Sequence, residues 1–114
     1  MEGTWESDCV LTLKSRSVFT DNTLTLSVLT HDDLNCTTVT GKTTLDSGTY
    51  TIGADVTDPA GVKELNFVGS STVYTVYTLT GDSLNFTLES DTENDGSTEA
   101  KRIRELASGP VTRQ

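Results

Sequence analysis

Positively charged side chains are scarce in this sequence. Eight lysines and arginines stand against seventeen aspartates and glutamates, a net charge of −9 over 114 residues. Neutralising a phosphate backbone takes clustered Lys and Arg, so nucleic acid is excluded as a partner. Adsorption to an anionic membrane surface is disfavoured on the same ground. Long apolar runs are missing too, and no segment is read as spanning a bilayer. There is one histidine, His31, in the polar stretch His31-Asp32-Asp33. Its neighbours suggest a metal site or a catalytic pair, against which stands the simpler reading of a histidine in a polar turn. With a single His and no strand-turn-helix elbow to raise a nucleophile, the chain is read as non-enzymatic. No carboxylate pair is singled out for glycoside chemistry, and two Cys with one His cannot fill a zinc site unaided. No cofactor is expected.

What the chain has instead is threonine, about one residue in five, a residue that favours half-buried strands. At this length there is one domain, residues 1–114, and no second core. Apolar residues are few, 33%, but they fall in period-two patterns. Trp5, Cys9, Leu11 and Leu13 alternate with polar residues as a first strand, which Val18-Phe19 continues beyond a bend at Ser15-Arg16-Ser17. A second strand carries Leu24, Leu26 and Val28. A weak, Thr-rich one covers residues 37–45, and Asp46-Ser47-Gly48 is read as a turn. Tyr50, Ile52 and Ala54 follow, then a turn at Asp58-Pro59-Ala60-Gly61 and a strand with Leu65 and Phe67. Val73 to Leu79 is apolar on both faces, with Tyr74 and Tyr77 on opposite sides. Thr80-Gly81-Asp82-Ser83 is a hairpin turn leading into Leu84, Phe86 and Leu88. Ala100, Ile103, Leu106 and Ala107 then share a helical face, capped by Ser97 or Thr98 and stopped by Gly109-Pro110. Val111 to Gln114 makes a last short strand. The expectation is an all-β, antiparallel up-and-down meander of about eight strands with one short helix before the last. A barrel is favoured over an open sandwich, since eight strands are about what a small barrel needs to close.

Cys9 and Cys36 are the clue to the compartment. In a small acidic chain they lean toward a disulfide and an oxidising setting. A bridge between them would contribute about 3.5 kcal/mol by the chain-entropy argument. The alternative is two separate buried thiols. The protein is therefore expected to be exported, periplasmic, cell-envelope or extracellular. The strand that starts directly after Met1 is read as following a removed export signal, with a leaderless cytosolic protein as the other reading.

The sharpest local motif is acidic. Asp91, Glu93, Asp95 and Gly96, with Glu99 beyond, resemble the first half of an EF-hand loop, in which alternate carboxylates converge on calcium. Glu93 stands where Asp or Asn is usual, and Arg102 stands where the bidentate Glu belongs. The competing reading is a solvated acidic loop.

Gly3-Thr4-Trp5 at the first strand resembles the G-x-W signature of the calycin superfamily, which holds the lipocalins. The run from Tyr77 to Leu84 is similar to the late hairpin of small bacterial lipocalin-like domains. The opening Trp-x-Ser-x-Cys with a later Asn-Cys-Thr resembles small exported bacterial proteins. The resemblance implies a small lipocalin-like barrel in which Trp5 plugs one end and Arg113 packs across it, both structural roles. It also implies a bacterial cell-envelope setting, of lipoprotein type. The inner face would be drawn from Leu24, Leu26, Val28, Tyr50, Ile52, Leu65, Phe67, Leu84, Phe86 and Leu88. Two functions follow. A small apolar ligand could bind in the barrel, contacted by Leu26, Val28, Tyr50, Ile52, Phe67, Tyr77 and Phe86. Alternatively, a filled barrel could act through its surface on a protein or glycan partner.

Overall fold

The structure, a computed structural model, describes residues 2–57, 60–90, 93–107 and 109–114. Eight strands follow in order: β1 Gly3–Glu6, β2 Leu13–Phe19, β3 Thr23–His31, β4 Val39–Thr57, β5 Ala60–Val68, β6 Thr72–Thr80, β7 Ser83–Phe86 and β8 Val111–Arg113. Each pairs antiparallel with the next, and β8 pairs with β1, so the meander closes into a barrel. Closure leaves the barrel without the open edges that an eight-stranded sheet would otherwise expose.

The strand count agrees with expectation, but two of its boundaries differ. The alternation from Trp5 to Leu13 is not one strand. β1 ends at Glu6, and the chain reverses at Leu11-Thr12, both at positive φ (50° and 71°). Mutual backbone hydrogen bonds between Val10 and Leu13, 2.9 Å each way, close that two-residue turn. Trp5 is fully buried, whereas Leu11 and Leu13 are exposed. Residues 13–19, read as a bend plus a tail, form the return strand.

Conversely, Asp46-Ser47-Gly48 does not turn the chain. β4 runs straight through it, carrying a bulge at Leu45 where the register to β3 shifts. Gly48 is there for a close approach: a Cβ on it would stand 1.9 Å from the Val68 carbonyl oxygen. The Asp46 carboxylate accepts from Ser47 N (2.8 Å), Ser70 N (3.0 Å) and the Ser70 hydroxyl (2.9 Å), tying the β5–β6 turn to β4. Turn-forming residue types are thus used to clamp one strand against a neighbouring turn. Asp58 and Pro59, the expected β4–β5 turn, lie outside the described residues.

The core is built from Trp5, Phe19, Leu24, Tyr50, Leu65, Phe67, Tyr77 and Leu84, with Leu26, Phe86, Leu88 and Val111 packed against it. Each large side chain so buried contributes about 1.5–3 kcal/mol. Phe19 meets Tyr50 edge-on at 5.0 Å and Phe86 at 6.0 Å. Tyr74 and Tyr77 do lie on opposite faces of β6, Tyr77 inward.

The short helix before the last strand is a single 3-10 turn, Glu99–Lys101, with the Thr98 hydroxyl accepting from Lys101 N. The apolar spacing of Ala100, Ile103, Leu106 and Ala107 does not continue a helix: Ala100 is exposed in the 3-10 turn, Ile103 is buried, and Leu106 and Ala107 are half-buried. Tyr74 N donates to Gly96 O (2.9 Å) and Ile103 N to Tyr74 O (2.9 Å), so this segment pairs with the part of β6 that β7 leaves open. Arg102 is laid across the outer face of β5 and β6, buried to 4% exposure. Its Nη1 donates to Thr75 O (2.7 Å) and Leu65 O (3.3 Å), its Nε lies 3.5 Å from Glu64, and its guanidinium sits over the Tyr74 ring at 5.5 Å.

Before Thr49, β4 pairs with β3 alone, and β2 pairs with β1 only from Arg16 onward. The near halves of β2 and β4 with the far half of β3 therefore form a three-stranded extension beyond the barrel, within a molecule 42 Å long. Cys9 and Cys36 are joined in a disulfide at its end, with Cα atoms 5.9 Å apart.

Candidate functional site at the barrel mouth

Where β1 and β8 stop short, the wall opens into a cleft of about 340 Å3, near the lower end of the range of about 300–1,000 Å3 for small-molecule sites. One side is the extension: Ser15, Arg16 and Ser17 of β2, Leu26 and Ser27 of β3, and the bulge residue Leu45 of β4. The other is formed by Phe86 to Glu89, Ala107, Gly109 and Val111. Leu26, Phe86, Leu88 and Val111 rest on the buried core, so the floor is apolar, and hydroxyls ring the rim.

The far side is held by side chains that imitate a strand rung. Asn85 accepts from Ala107 N (2.8 Å) through Oδ1 and donates through Nδ2 to Ala107 O (3.3 Å). The buried Thr75 hydroxyl donates to Thr87 O at 2.7 Å. On the near side Arg16 is fixed by Glu6, with Nη2 at 2.6 Å and Nε at 2.8 Å, and Lys14 stands 3.7 Å from the other oxygen of Glu6. Arg16 and Lys14 thus share Glu6, Glu89 adds a second carboxylate at the rim, and the cleft offers an apolar floor with hydroxyl and guanidinium donors above it.

Of the residues expected to contact a ligand, Leu26 and Phe86 line this cleft. Tyr50, Phe67 and Tyr77 belong to the buried core cluster and are not among the residues lining the cleft. The Tyr50 hydroxyl donates to Thr20 O at 2.9 Å. Burial raises the Tyr50 phenol above its ordinary value, assisted by the charges of Glu2 and Asp21. Tyr77 is raised in the same way, by burial and then by Asp55 and Tyr50. Val28 is half-buried on the extension, and Ile52 is 42% exposed near the irregular end of the β4–β5 ladder. Both share the inner-face register but lie beyond the filled part of the barrel. Sequence reading missed Leu45 and Val111 as lining residues. Leu45 sits in a Thr-rich run without alternation, and only its bulge turns it to the cleft.

Asp91 lies outside the described residues. Among the described residues, no three His, Cys, Asp or Glu side chains are placed to hold a metal ion. Asp95 accepts from Ser97 N (3.0 Å) and the Ser97 hydroxyl (2.7 Å), which hold its carboxyl below the usual range. Glu93 is exposed, and Glu99 stands 3.9 Å from Arg102 in the 3-10 turn. Gly96 is buried at φ 80°, where a Cβ would crowd Ile103, Tyr74 O and Val73, so its freedom serves the docking on β6. A larger depression of about 630 Å3 beside it, lined by Leu88, Glu89, Ser90, Asp95 and Glu105, is open to solvent. There the Ser90 hydroxyl donates to Glu105.

His31 is not in a turn. It ends β3, is 7% exposed, and shares a 2.8 Å hydrogen bond between Nδ1 and Thr12 O.

Fold and cleft together define an eight-stranded antiparallel barrel with one apolar-floored mouth. Comparison with protein-family models and with curated proteins finds no match for the chain. Among the described residues no helix is long and apolar enough to cross a membrane.

Proposed function

We propose that this is a non-enzymatic, lipocalin-like barrel, exported to an oxidising compartment, that takes a small apolar ligand at its mouth. The observation that carries the reading is the cleft itself. Leu26, Phe86, Leu88 and Val111 present a continuous apolar floor that the barrel leaves uncovered. Burying such a floor under a ligand removes apolar surface from water on both partners. The rim hydroxyls and Arg16 would receive a polar end group. Membership of the calycin superfamily is supported by the closed meander of eight strands and by Arg113 stacked on the Trp5 of the G-x-W segment. Export is supported by the Cys9–Cys36 disulfide, since such bonds persist outside reducing compartments.

The test is native mass spectrometry of protein isolated from its own host, before and after denaturation, beside a Leu26→Trp variant whose indole would fill the cleft. The expected result is a small-molecule mass that is lost on denaturation and absent from the variant. Ligand-free wild-type protein, or an adduct that Leu26→Trp retains, overturns the reading. Thiol titration of the same sample is expected to find both cysteines blocked, and free thiols would count against export.

A further inference from the structure

The extension beyond the barrel ends in an apolar surface that the ligand cleft does not use. Leu11 is 76% exposed, Leu34 70%, Val10 62% and Val39 53%. They belong to two segments distant in the chain, residues 10–11 and 34–39, that the fold brings together. Cys9 is bonded to Cys36 and its sulfur lies 3.2 Å from Leu34 O. Val39 is paired with His31, whose ring meets Thr12 O. Single exposed apolar residues are ordinary on a protein surface, but a cluster at the tip of a projection marks a contact site.

The turn itself is held in an unfavourable conformation. A two-residue hairpin with positive φ at both central positions suits Asn-Gly, and here those positions are Leu11 and the β-branched Thr12. Cys36, in the facing loop, is a third non-glycine residue at positive φ (53°). All three such residues among those described lie at this end, next to the disulfide and His31. Strain of this kind persists where the surroundings over-determine it, and it concentrates at binding sites. Asn-Gly would form the same turn with less strain, and it would present no apolar side chain.

Charge identifies the partner. Residues 7–13 and 30–41 contain Asp8, Asp32 and Asp33 and no Lys or Arg. Asp33 is occupied by Thr37, whose N and hydroxyl donate to it at 3.0 and 2.6 Å. Asp8 and Asp32 are exposed and have no ion pair among the described residues. Two copies would bring like charges together at the tip, and anionic lipid would be repelled equally.

We propose that the disulfide-clamped end of the barrel is a docking surface for a protein partner whose contact face is apolar at its centre and rimmed with Lys or Arg. Leu11 and Leu34 enter the apolar centre, Asp8 and Asp32 meet the basic rim, and the clamp lowers the ordering cost by presenting the side chains already in place.

The probe is a synthetic amphipathic helix with leucine on one face and lysine on the other, titrated by fluorescence anisotropy. Wild-type protein should bind it with an affinity that falls as salt rises. The double variant Leu11→Ser, Leu34→Ser should bind at least about tenfold more weakly, and Asp8→Asn, Asp32→Asn should flatten the salt dependence. A control, Val68→Ser with Leu79→Ser, removes two exposed apolar residues from the barrel wall and should bind as wild type. All of these positions are on the surface, so unchanged thermal midpoints show that the fold is kept. Equal weakening in the control, or no weakening in Leu11→Ser, Leu34→Ser, overturns the proposal and leaves only the general attraction of an acidic protein for a cationic peptide. Binding to phosphatidylcholine vesicles that depends on Leu11 and Leu34, or self-association in sedimentation that depends on them, overturns it in favour of a lipid surface or a second copy.

Discussion

The guanidinium carbon of Arg113 stands 4.3 Å from the centroid of the Trp5 ring, and the two residues face each other in the rung that closes the barrel. Trp5 is fully buried while Arg113 is half in solvent, so the arginine acts as a lid over the indole. It is held there by Nη1 donating to Glu2 O (2.7 Å) and by Nε at 3.4 Å from Asp82. Gly3 completes the arrangement. At φ 132° it takes a conformation that side chains resist, and a Cβ would lie 2.8 Å from Arg113 Nη1. The segment Gly3-Thr4-Trp5 therefore has a mechanical reading: the glycine leaves room for the arginine that covers the tryptophan.

Removing the lid should be measurable. Arg113→Ala is expected to lower stability by about 1 kcal/mol, the worth of a partly exposed cation–π contact. Gly3→Ala should cost more, about 1–3 kcal/mol, because it adds backbone strain to the displaced arginine. Urea unfolding followed by the fluorescence of Trp5, the single tryptophan, reads both.

Arg102 is the opposite case, a buried cation on the outer face of the sheet. Its Nη2 is buried with no hydrogen-bond partner among the described residues and lies 3.9 Å from Glu99, so its placement rests mainly on the two carbonyls, Glu64 and Tyr74. Arg102→Ala should destabilise by about 3 kcal/mol, since it opens a cavity and uncouples the 96–103 segment from β6. Glu64→Gln removes the nearer of the two carboxylates beside Arg102, leaving the exposed Glu99 at 3.9 Å, and should also destabilise, by a smaller margin because Glu64 is partly solvated. Hydrogen exchange at Tyr74 and Ile103, whose amides hold the segment to β6, should speed up in Arg102→Ala.

Gly48→Ala should be far more damaging than Gly109→Ala. The first places a methyl group on the backbone of Val68 and Gly69, which cannot yield without opening the β4–β5 ladder, and the second meets nothing within 4 Å. Circular dichroism melts of the two variants make the comparison. Similar midpoints would show that β4 can shift away from the β5–β6 turn.

Acid should loosen that same turn. The Ser70 hydroxyl, followed by the Ser70 and Ser47 amides, holds the Asp46 carboxyl below its ordinary value. A carboxylate with a lowered folded pKa contributes stability that is fully present above the unfolded value of about 3.9 and is lost as the pH falls through the folded one. Asp33 and Asp95 are lowered by Thr37 and Ser97 in the same way. Stability should therefore fall below about pH 4, and Asp46→Asn should make that decline shallower. Urea midpoints measured from pH 2.5 to 6 for wild type and variant carry the test, and parallel slopes would remove Asp46 from the acid response.

The expected number of strands matched because the unread break after Glu6 and the misread turn at Asp46-Ser47-Gly48 offset each other, and closure itself is made by the β1–β8 pairing. The period-two pattern was enough to mark the chain as strands, because alternation records which side of a strand is buried. It was enough, too, to place Leu24, Leu65, Phe67 and Leu84 in the core. It could not tell where the strands break. Alternation continues through a tight reversal, so Trp5 to Leu13 looked continuous while the turn lay at Leu11-Thr12, residues that do not announce one. Asp46-Ser47-Gly48 has turn composition, yet its carboxylate meets Ser70 and its missing side chain makes room for Val68, 24 and 20 residues further along the chain. The same limit governs the candidate sites. Leu26 and Phe86 were legible as inner-face residues, but whether an inner-face residue lines a cleft or fills the core depends on where the short strands β1 and β8 end. Leu45 reaches the cleft only through a bulge. The acidic charge and the inward-facing pattern were determined by the sequence alone, since each is a local property of residue types. The cleft, the buried Arg102 and the apolar tip were decided by tertiary structure, because each depends on segments distant in the chain meeting in space.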